Sequence, residues 1–132
     1  MATIASDTTR YGNLVKQELW PANGYTRDAV IANETTAKTY AVGTVLGLVT
    51  ATSKYKISLQ AAADGSQTPA AVVLDDYTVP ANTDTTVLAM TRGPAMLAKQ
   101  ALLLDASFST APQKAAAYAA LEAKLMLLIN QI

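Results

Sequence analysis

The sequence contains no cysteine and no histidine. The first absence excludes disulfides, thiolate chemistry and Cys-ligated metals, and leaves the redox compartment open. The second removes the side chain that most often moves protons near neutral pH. Net charge is lacking as well: ten basic and ten acidic residues cancel. They are scattered singly, so neither nucleic acid nor an acidic membrane surface is expected as a partner. The apolar runs fall far short of the roughly 18 residues of a membrane helix. No basic region followed by an apolar stretch opens the chain, so a soluble protein not exported by a signal peptide is expected. Aromatic residues are few, with one tryptophan and one phenylalanine beside six tyrosines.

What is present is a β-rich pattern organised around residues 40–74. Val42, Thr44, Val45, Leu46, Leu48, Val49 and Thr50 form a strand-like run. Within it Gly43 and Gly47 predict a bend and a bulge or close backbone approach. In the next run, Tyr55, Ile57 and Leu59 alternate with Lys54, Lys56 and Ser58, which predicts a half-buried strand. Asp64-Gly65-Ser66 predicts a turn with positive φ at the glycine. Ala70 to Leu74 is apolar throughout and predicts a central strand. Thr26 to Ala32 predicts a strand ended by a turn at Asn33-Glu34-Thr35-Thr36, and Pro80 to Asp84 a loop. Thr85 to Thr91 predicts another internal strand, with Val87 and Ala89 on one face and Leu88 and Met90 on the other. Met96 to Leu104 is open between strand and short helix.

Ser109 or Thr110 predicts the cap of a C-terminal helix with Pro112 in its first turn. Gln113 to Ala123 is dense in helix formers, and Tyr118, Leu121 and Leu125 are its expected buried stripe. Met126 to Ile129 is either a closing strand or a continuation of that helix. The fold class predicted is mainly β with a C-terminal helix (α+β).

Residues 1–24 read differently. Residues 1–9 are small and polar apart from Ile4 and fit an arm that orders only on binding. Asn13 could cap a short helix ended by Pro21. Tyr11, Leu14, Val15, Leu19 and Trp20 give this segment apolar anchors, which either fold back on the body or dock on a partner. The expected organisation is therefore an N-terminal arm over 1–24 and one compact domain over 25–132.

No active site is expected. Asp75 and Asp76 are the one carboxylate pair, but neighbours on a strand point to opposite faces and do not converge. Asp64-Gly65-Ser66 lacks the ligand spacing of a calcium loop. Gly43 to Gly47 is neither a membrane dimer motif nor a phosphate loop. Ser53-Lys54 sits in a turn beside another lysine. Neither a metal nor a cofactor is expected, and composition alone gives a binding or structural protein.

Gly43-Thr44-Val45-Leu46-Gly47, then Lys54-Tyr55, then Asp64-Gly65-Ser66 ahead of Ala71-Val72-Val73-Leu74, then Arg92-Gly93-Pro94-Ala95 and the Ala-rich helix after Pro112, follow one another in an order and spacing that resemble the head decoration proteins of lambda-like tailed phages. The resemblance covers roughly Tyr25 to the C-terminus and is weakest in the arm. It implies a small β-clip-like barrel domain with an extended N-terminal arm. It implies a cementing protein on the outer surface of the expanded head, made in the host cytoplasm before assembly. As a homotrimer it would bridge major capsid protein subunits and hold the shell against the pressure of packaged DNA. In that family a glycine tends to separate the helix from a final strand, whereas Leu125 stands there in this chain. Capsid-docking roles for Tyr11, Leu14, Val15, Leu19 and Trp20 rest on their chemistry alone. The alternative class is a virion-surface module recognising a host surface or glycan, which would require exposed aromatics on the body.

Overall fold

The computed structural model describes residues 14–18 and 26–129. Among them the chain runs through strands β1 (Val15–Glu18), β2 (Arg27–Ala32), β3 (Lys38–Tyr40), β4 (Val45–Val49), β5 (Lys54–Ile57), β6 (Pro69–Val73), β7 (Tyr77–Val79), β8 (Thr85–Met90) and β9 (Ala95–Ala98). A 3-10 turn over Lys99–Ala101, helix α1 (Ala111–Glu122) and strand β10 (Met126–Ile129) follow. Five strands close a barrel in the order β2-β5-β4-β6-β8, β3 pairs with β7, and β1-β9-β10 make a small separate sheet. The predicted mainly β architecture with one C-terminal helix is the one observed.

The barrel wall separates two cores, and the period of two in its strands decides which side chain enters which. From β6, Val72 and the following Leu74 enter one cluster with Leu97, Leu121 and Met126, while Ala71 and Val73 enter the other with Tyr40, Leu46 and Val79. From β8, Met90 joins the first cluster and Val87 and Ala89 the second. Both faces of these strands are therefore buried, which is why their sequences are apolar without alternation. Antiparallel pairing of β2 with β8 runs through six residues from Arg27↔Met90 to Ala32↔Thr85. The barrel closes through a short parallel contact, Ala32↔Tyr55, supported by Asn33 N–H donating to the Tyr55 carbonyl at 2.9 Å.

The two glycines of the central run do different work. Gly43 has φ +99°, and a Cβ there would lie 2.2 Å from the Ala101 carbonyl oxygen, so the chain after β9 can lie against this bend only because the side chain is missing. Gly47 marks the register shift between β4 and β6, and a Cβ there would lie 2.0 Å from the Ser66 carbonyl oxygen. Bend, bulge and close approach are thus all present where the sequence places them.

Thr110 caps α1: its hydroxyl accepts from Gln113 N–H at 3.3 Å, and the Gln113 carboxamide oxygen accepts from Thr110 N–H at 3.2 Å. This reciprocal box satisfies donors that the first helical turn would otherwise leave open.

Several expectations are corrected. Residues 15–18 form a strand paired with β9 where a helix capped by Asn13 is predicted, because their backbone groups find partners on β9 (Val15↔Leu97, Glu18↔Ala95). Leu59 lies beyond β5 and is 39% exposed, so the buried face there ends at Ile57. Met96–Leu104 is a strand followed by the 3-10 turn, and Met126–Ile129 is the closing strand, parallel to β9. Leu125 does not join the buried stripe of α1, which is made by Ala117 and Leu121 with Tyr118 partly buried. The helix ends before it, and Leu125 takes φ +67° to turn the chain into β10.

Candidate interaction surface

The carboxylates that could be suspected of chemistry are committed to backbone and turns. Asp76 Oδ1 accepts from Val42 N–H at 3.1 Å and Asp75 Oδ1 accepts from Asp76 N–H at 2.8 Å, so the two groups are tied to different partners and do not converge. Asp64 Oδ1 accepts from Ser66 N–H at 3.1 Å and from its hydroxyl at 2.5 Å, while Oδ2 meets the Lys56 ammonium at 2.7 Å. Lys56, then Ser66, holds the Asp64 carboxyl well below the usual carboxylate range. This network fixes the turn at Gly65, whose φ is +101°. Ser53 occupies φ +56° in the exposed turn between β4 and β5, and Lys54 Nζ is paired with Asp84 at 2.9 Å, so the two do not form a dyad. Among the described residues no three His, Cys, Asp or Glu side chains cluster as metal ligands would.

Of the exposed large apolar side chains among the described residues, Ile31, Leu59 and Leu103 stand apart, and the two most exposed, Leu125 and Leu127, lie together beside the β1-β9-β10 sheet. Met126 and Leu128 point into the core, and the intervening Leu127 points out, 53% exposed. Leu125 is 64% exposed beside it, and Pro94 and Glu122 complete the rim of a shallow hollow. Gly93 N–H donates to the Lys124 carbonyl at 2.7 Å and Ala95 N–H to the Leu125 carbonyl at 3.2 Å, so the backbone beneath the two leucines is firmly held.

Of the five candidate docking residues, Leu14 and Val15 are described. Leu14 is fully buried in the first core cluster, and Val15 is half-buried against the same cluster. Leu14 therefore serves the body's own core, and a contact through it would require the segment to lift away from β9. Tyr11, Leu19 and Trp20 lie outside the described residues, as does the expected boundary at residues 24–25. Sequence reasoning missed Leu125 and Leu127 as surface groups. The available signal was that Leu125 occupies the place where a glycine tends to separate helix from final strand in the resembled family, a turn position and not a place on the helical stripe.

The family model for the bacteriophage lambda head decoration protein D matches residues 8–126, most of the chain. The chain belongs to this family. It is accordingly a phage head decoration protein: a structural protein whose partner is the capsid and whose place is the virion. No curated protein matches the chain. The match begins ahead of Leu14, so in this family the segment leading into β1 is part of the shared pattern. Among the described residues the aromatic platform that host-surface or glycan recognition would need is weak, because Tyr40 is fully buried and Tyr55, Tyr77 and Tyr118 are each packed against a core cluster.

Proposed function

We propose that this head decoration protein is a cementing protein of the outer capsid surface. It joins the expanded head after leaving the host cytoplasm, associates as a homotrimer, and bridges neighbouring major capsid protein subunits so that the shell resists the pressure of packaged DNA. The observation that carries this reading is the family match over residues 8–126. The exposed Leu125 and Leu127 support it, since a decoration protein needs an apolar contact that is still open in the single chain. Residues 1–24 act as the attachment arm, with residues 15–18 seated on β9 and Tyr11, Leu19 and Trp20 supplying apolar anchors to the capsid.

Co-sedimentation of the purified protein with empty expanded capsids, together with its mass by sedimentation equilibrium, tests this directly. Saturable binding, a three-chain mass and a raised disruption temperature of the decorated shells are expected. Shells that bind the protein yet disrupt at an unchanged temperature would remove the cementing role, and a single-chain mass at assembly concentrations would remove the preformed trimer.

A further inference from the structure

Asp64-Gly65 is the one Asp-Gly step in the sequence. In an unfolded chain such a step is prone to isomerise, because glycine lets its backbone nitrogen reach the preceding carboxyl carbon with no side chain in the way. The fold requires both residues. Gly65 has φ +101°, and a Cβ there would lie 2.1 Å from Thr50 Oγ1 and 2.9 Å from the Leu48 carbonyl oxygen, so no larger residue fits. Asp64 supplies the acceptor that closes the turn over the Ser66 N–H and hydroxyl. The connection from β5 to β6 therefore carries a reactive dipeptide that its own turn demands.

Both reacting groups are held back in the closed turn. The attacking atom would be the Gly65 nitrogen, and its N–H donates to the Gln67 carboxamide oxygen at 2.9 Å. The carbon under attack carries the Asp64 carboxylate, with Oδ1 held by Ser66 and Oδ2 by Lys56 at 2.7 Å. A carboxylate is a poor electrophile, since the departing oxygen must leave as water from the neutral acid, and Lys56, then Ser66, keeps this group ionised. The flanking backbone is pinned as well: the Asp64 carbonyl accepts from Thr50 N–H at 3.0 Å and the Ser66 carbonyl from the Ser58 hydroxyl at 2.7 Å. Water nevertheless reaches the site, because the Asp64 side chain is 38% exposed.

We propose that Asp64 is a latent isomerisation site: the closed turn suppresses its conversion to isoaspartate, and local opening of the turn permits it. In the reaction the Gly65 nitrogen gives up its proton and bonds to Asp64 Cγ, the hydroxyl of the neutral acid leaves as water, and a five-membered succinimide forms. Water that adds at the α-carbonyl breaks its bond to nitrogen and leaves the main chain running through Cγ, which is isoaspartate; water that adds at Cγ restores aspartate. One water leaves and one returns, and nothing is oxidised or reduced. The product has one more main-chain carbon and a carboxylate displaced from Ser66. Ser66 has no slack to follow, since its carbonyl oxygen lies where a Cβ on Gly47 would come within 2.0 Å, so conversion would loosen the connection from β5 to β6. The site does not depend on the capsid reading.

Prolonged incubation of the full chain at neutral pH and physiological temperature tests this, with isoaspartate at position 64 quantified by electron-transfer fragmentation of the peptide that spans it. The native parent should accumulate isoaspartate there far more slowly than the same chain unfolded in urea. Gln67→Ala frees the Gly65 N–H and should convert at least about fivefold faster than the parent while still native, the factor that one lost net hydrogen bond converts to. Gln67→Glu keeps an acceptor for that N–H and should stay as slow as the parent. Should Gln67→Ala not fold, Lys56→Ala, which releases Oδ2, takes its place with the same expected readings. Leu14→Ala separates local opening from global unfolding, because it weakens the first core cluster, which includes no residue of this turn. At a temperature where circular dichroism shows it native, it should convert no faster than the parent. Equal rates in the native and unfolded parent, a Gln67→Ala protein as slow as the parent, or a native Leu14→Ala protein as fast as Gln67→Ala would each overturn the proposal.

Discussion

The Tyr40 hydroxyl donates to the Glu34 carboxylate inside the body, where both side chains are closed to water. The same carboxylate oxygen accepts from Ile57 N–H at 2.8 Å. One buried anion thus ties the segment after β2 to β3 and to β5, beside the place where the barrel closes. Burying a carboxylate is unfavourable unless donors replace its water, and two donors do so here. Burial first, and the Glu34 acceptor second, push the Tyr40 hydroxyl far above its ordinary value, so it remains the donor over the whole useful pH range.

Tyr40→Phe keeps the ring and removes that donor. It should lower unfolding free energy by about 1–3 kcal/mol, the range for leaving a buried charged acceptor short of a partner. Glu34→Ala should lower it more, since it strands both the Tyr40 hydroxyl and the Ile57 N–H. Urea titrations of the two variants check the ordering, and a Tyr40→Phe protein as stable as the parent would show that the bond contributes nothing net.

A second outcome is expected at the end of α1. Leu125 holds φ +67°, a region that costs a branched or bulky residue roughly 1–2 kcal/mol. Gly93 packs so tightly beneath it that a Cβ would lie 1.8 Å from the Leu125 carbonyl oxygen, so the backbone cannot relax in that direction. Because its side chain is 64% exposed, Leu125→Gly gives up little packing and should melt at or slightly above the parent. Leu125→Val should fall by about 1 kcal/mol, as β-branching tightens the strain. A large loss of stability in Leu125→Gly would mean that the side chain supports the fold after all.

Positions 43, 47 and 65 were legible in the sequence because glycine reports a backbone requirement that no neighbour can satisfy for it. The strands β6 and β8 were legible because two-sided burial leaves them apolar throughout, and α1 because its cap, its Pro112 and its alanines agree. Glu34 was not: within Asn33-Glu34-Thr35-Thr36 it looks like any solvated turn residue, and its burial depends on Tyr40 and Ile57 arriving from other strands. Residues 15–18 misled for a related reason. Four residues carry too little periodic signal to choose a state, and their structure is set by the open edge of β9, a tertiary partner. The surface formed by Leu125 and Leu127 was hidden by a helical period that, continued past Glu122, assigns Leu125 to the core.

Stability should be flat between mildly acidic and mildly alkaline pH and fall at both ends. Arg92, then Thr91, lowers Asp28; Lys56, then Ser66, lowers Asp64; Lys54, then Asn33, lowers Asp84. A carboxyl lowered in the fold contributes stability above its unfolded value, 3.8 here, and loses it as pH drops toward the folded value. Burial raises Tyr40 and Tyr55, so their contribution is complete below the unfolded value of 10.0 and is lost as pH rises beyond it. Denaturant midpoints measured across pH should therefore form a plateau with an acid shoulder below about 4 and an alkaline one above about 10. Asp64→Asn should shrink the acid shoulder; a midpoint that changes steadily through neutrality would contradict these assignments.

The proposed attachment arm and the body can be told apart by two substitutions six residues apart. Leu14 is wholly buried among Leu97, Leu121 and Met126, so Leu14→Ala leaves a cavity and should destabilise the isolated protein by about 2–5 kcal/mol. If Trp20 anchors the arm to the capsid as proposed, Trp20→Ala should leave melting unchanged and weaken attachment by about 2 kcal/mol or more per arm. Three arms on one trimer would multiply that loss, because linked weak contacts reinforce one another through effective concentration. Calorimetry of the free variants and co-sedimentation with expanded capsids read the two effects independently. Should Trp20→Ala melt as low as Leu14→Ala and still decorate capsids once folded, Trp20 would belong to the body's core, and capsid attachment would have to rest on the surface that Leu125 and Leu127 present.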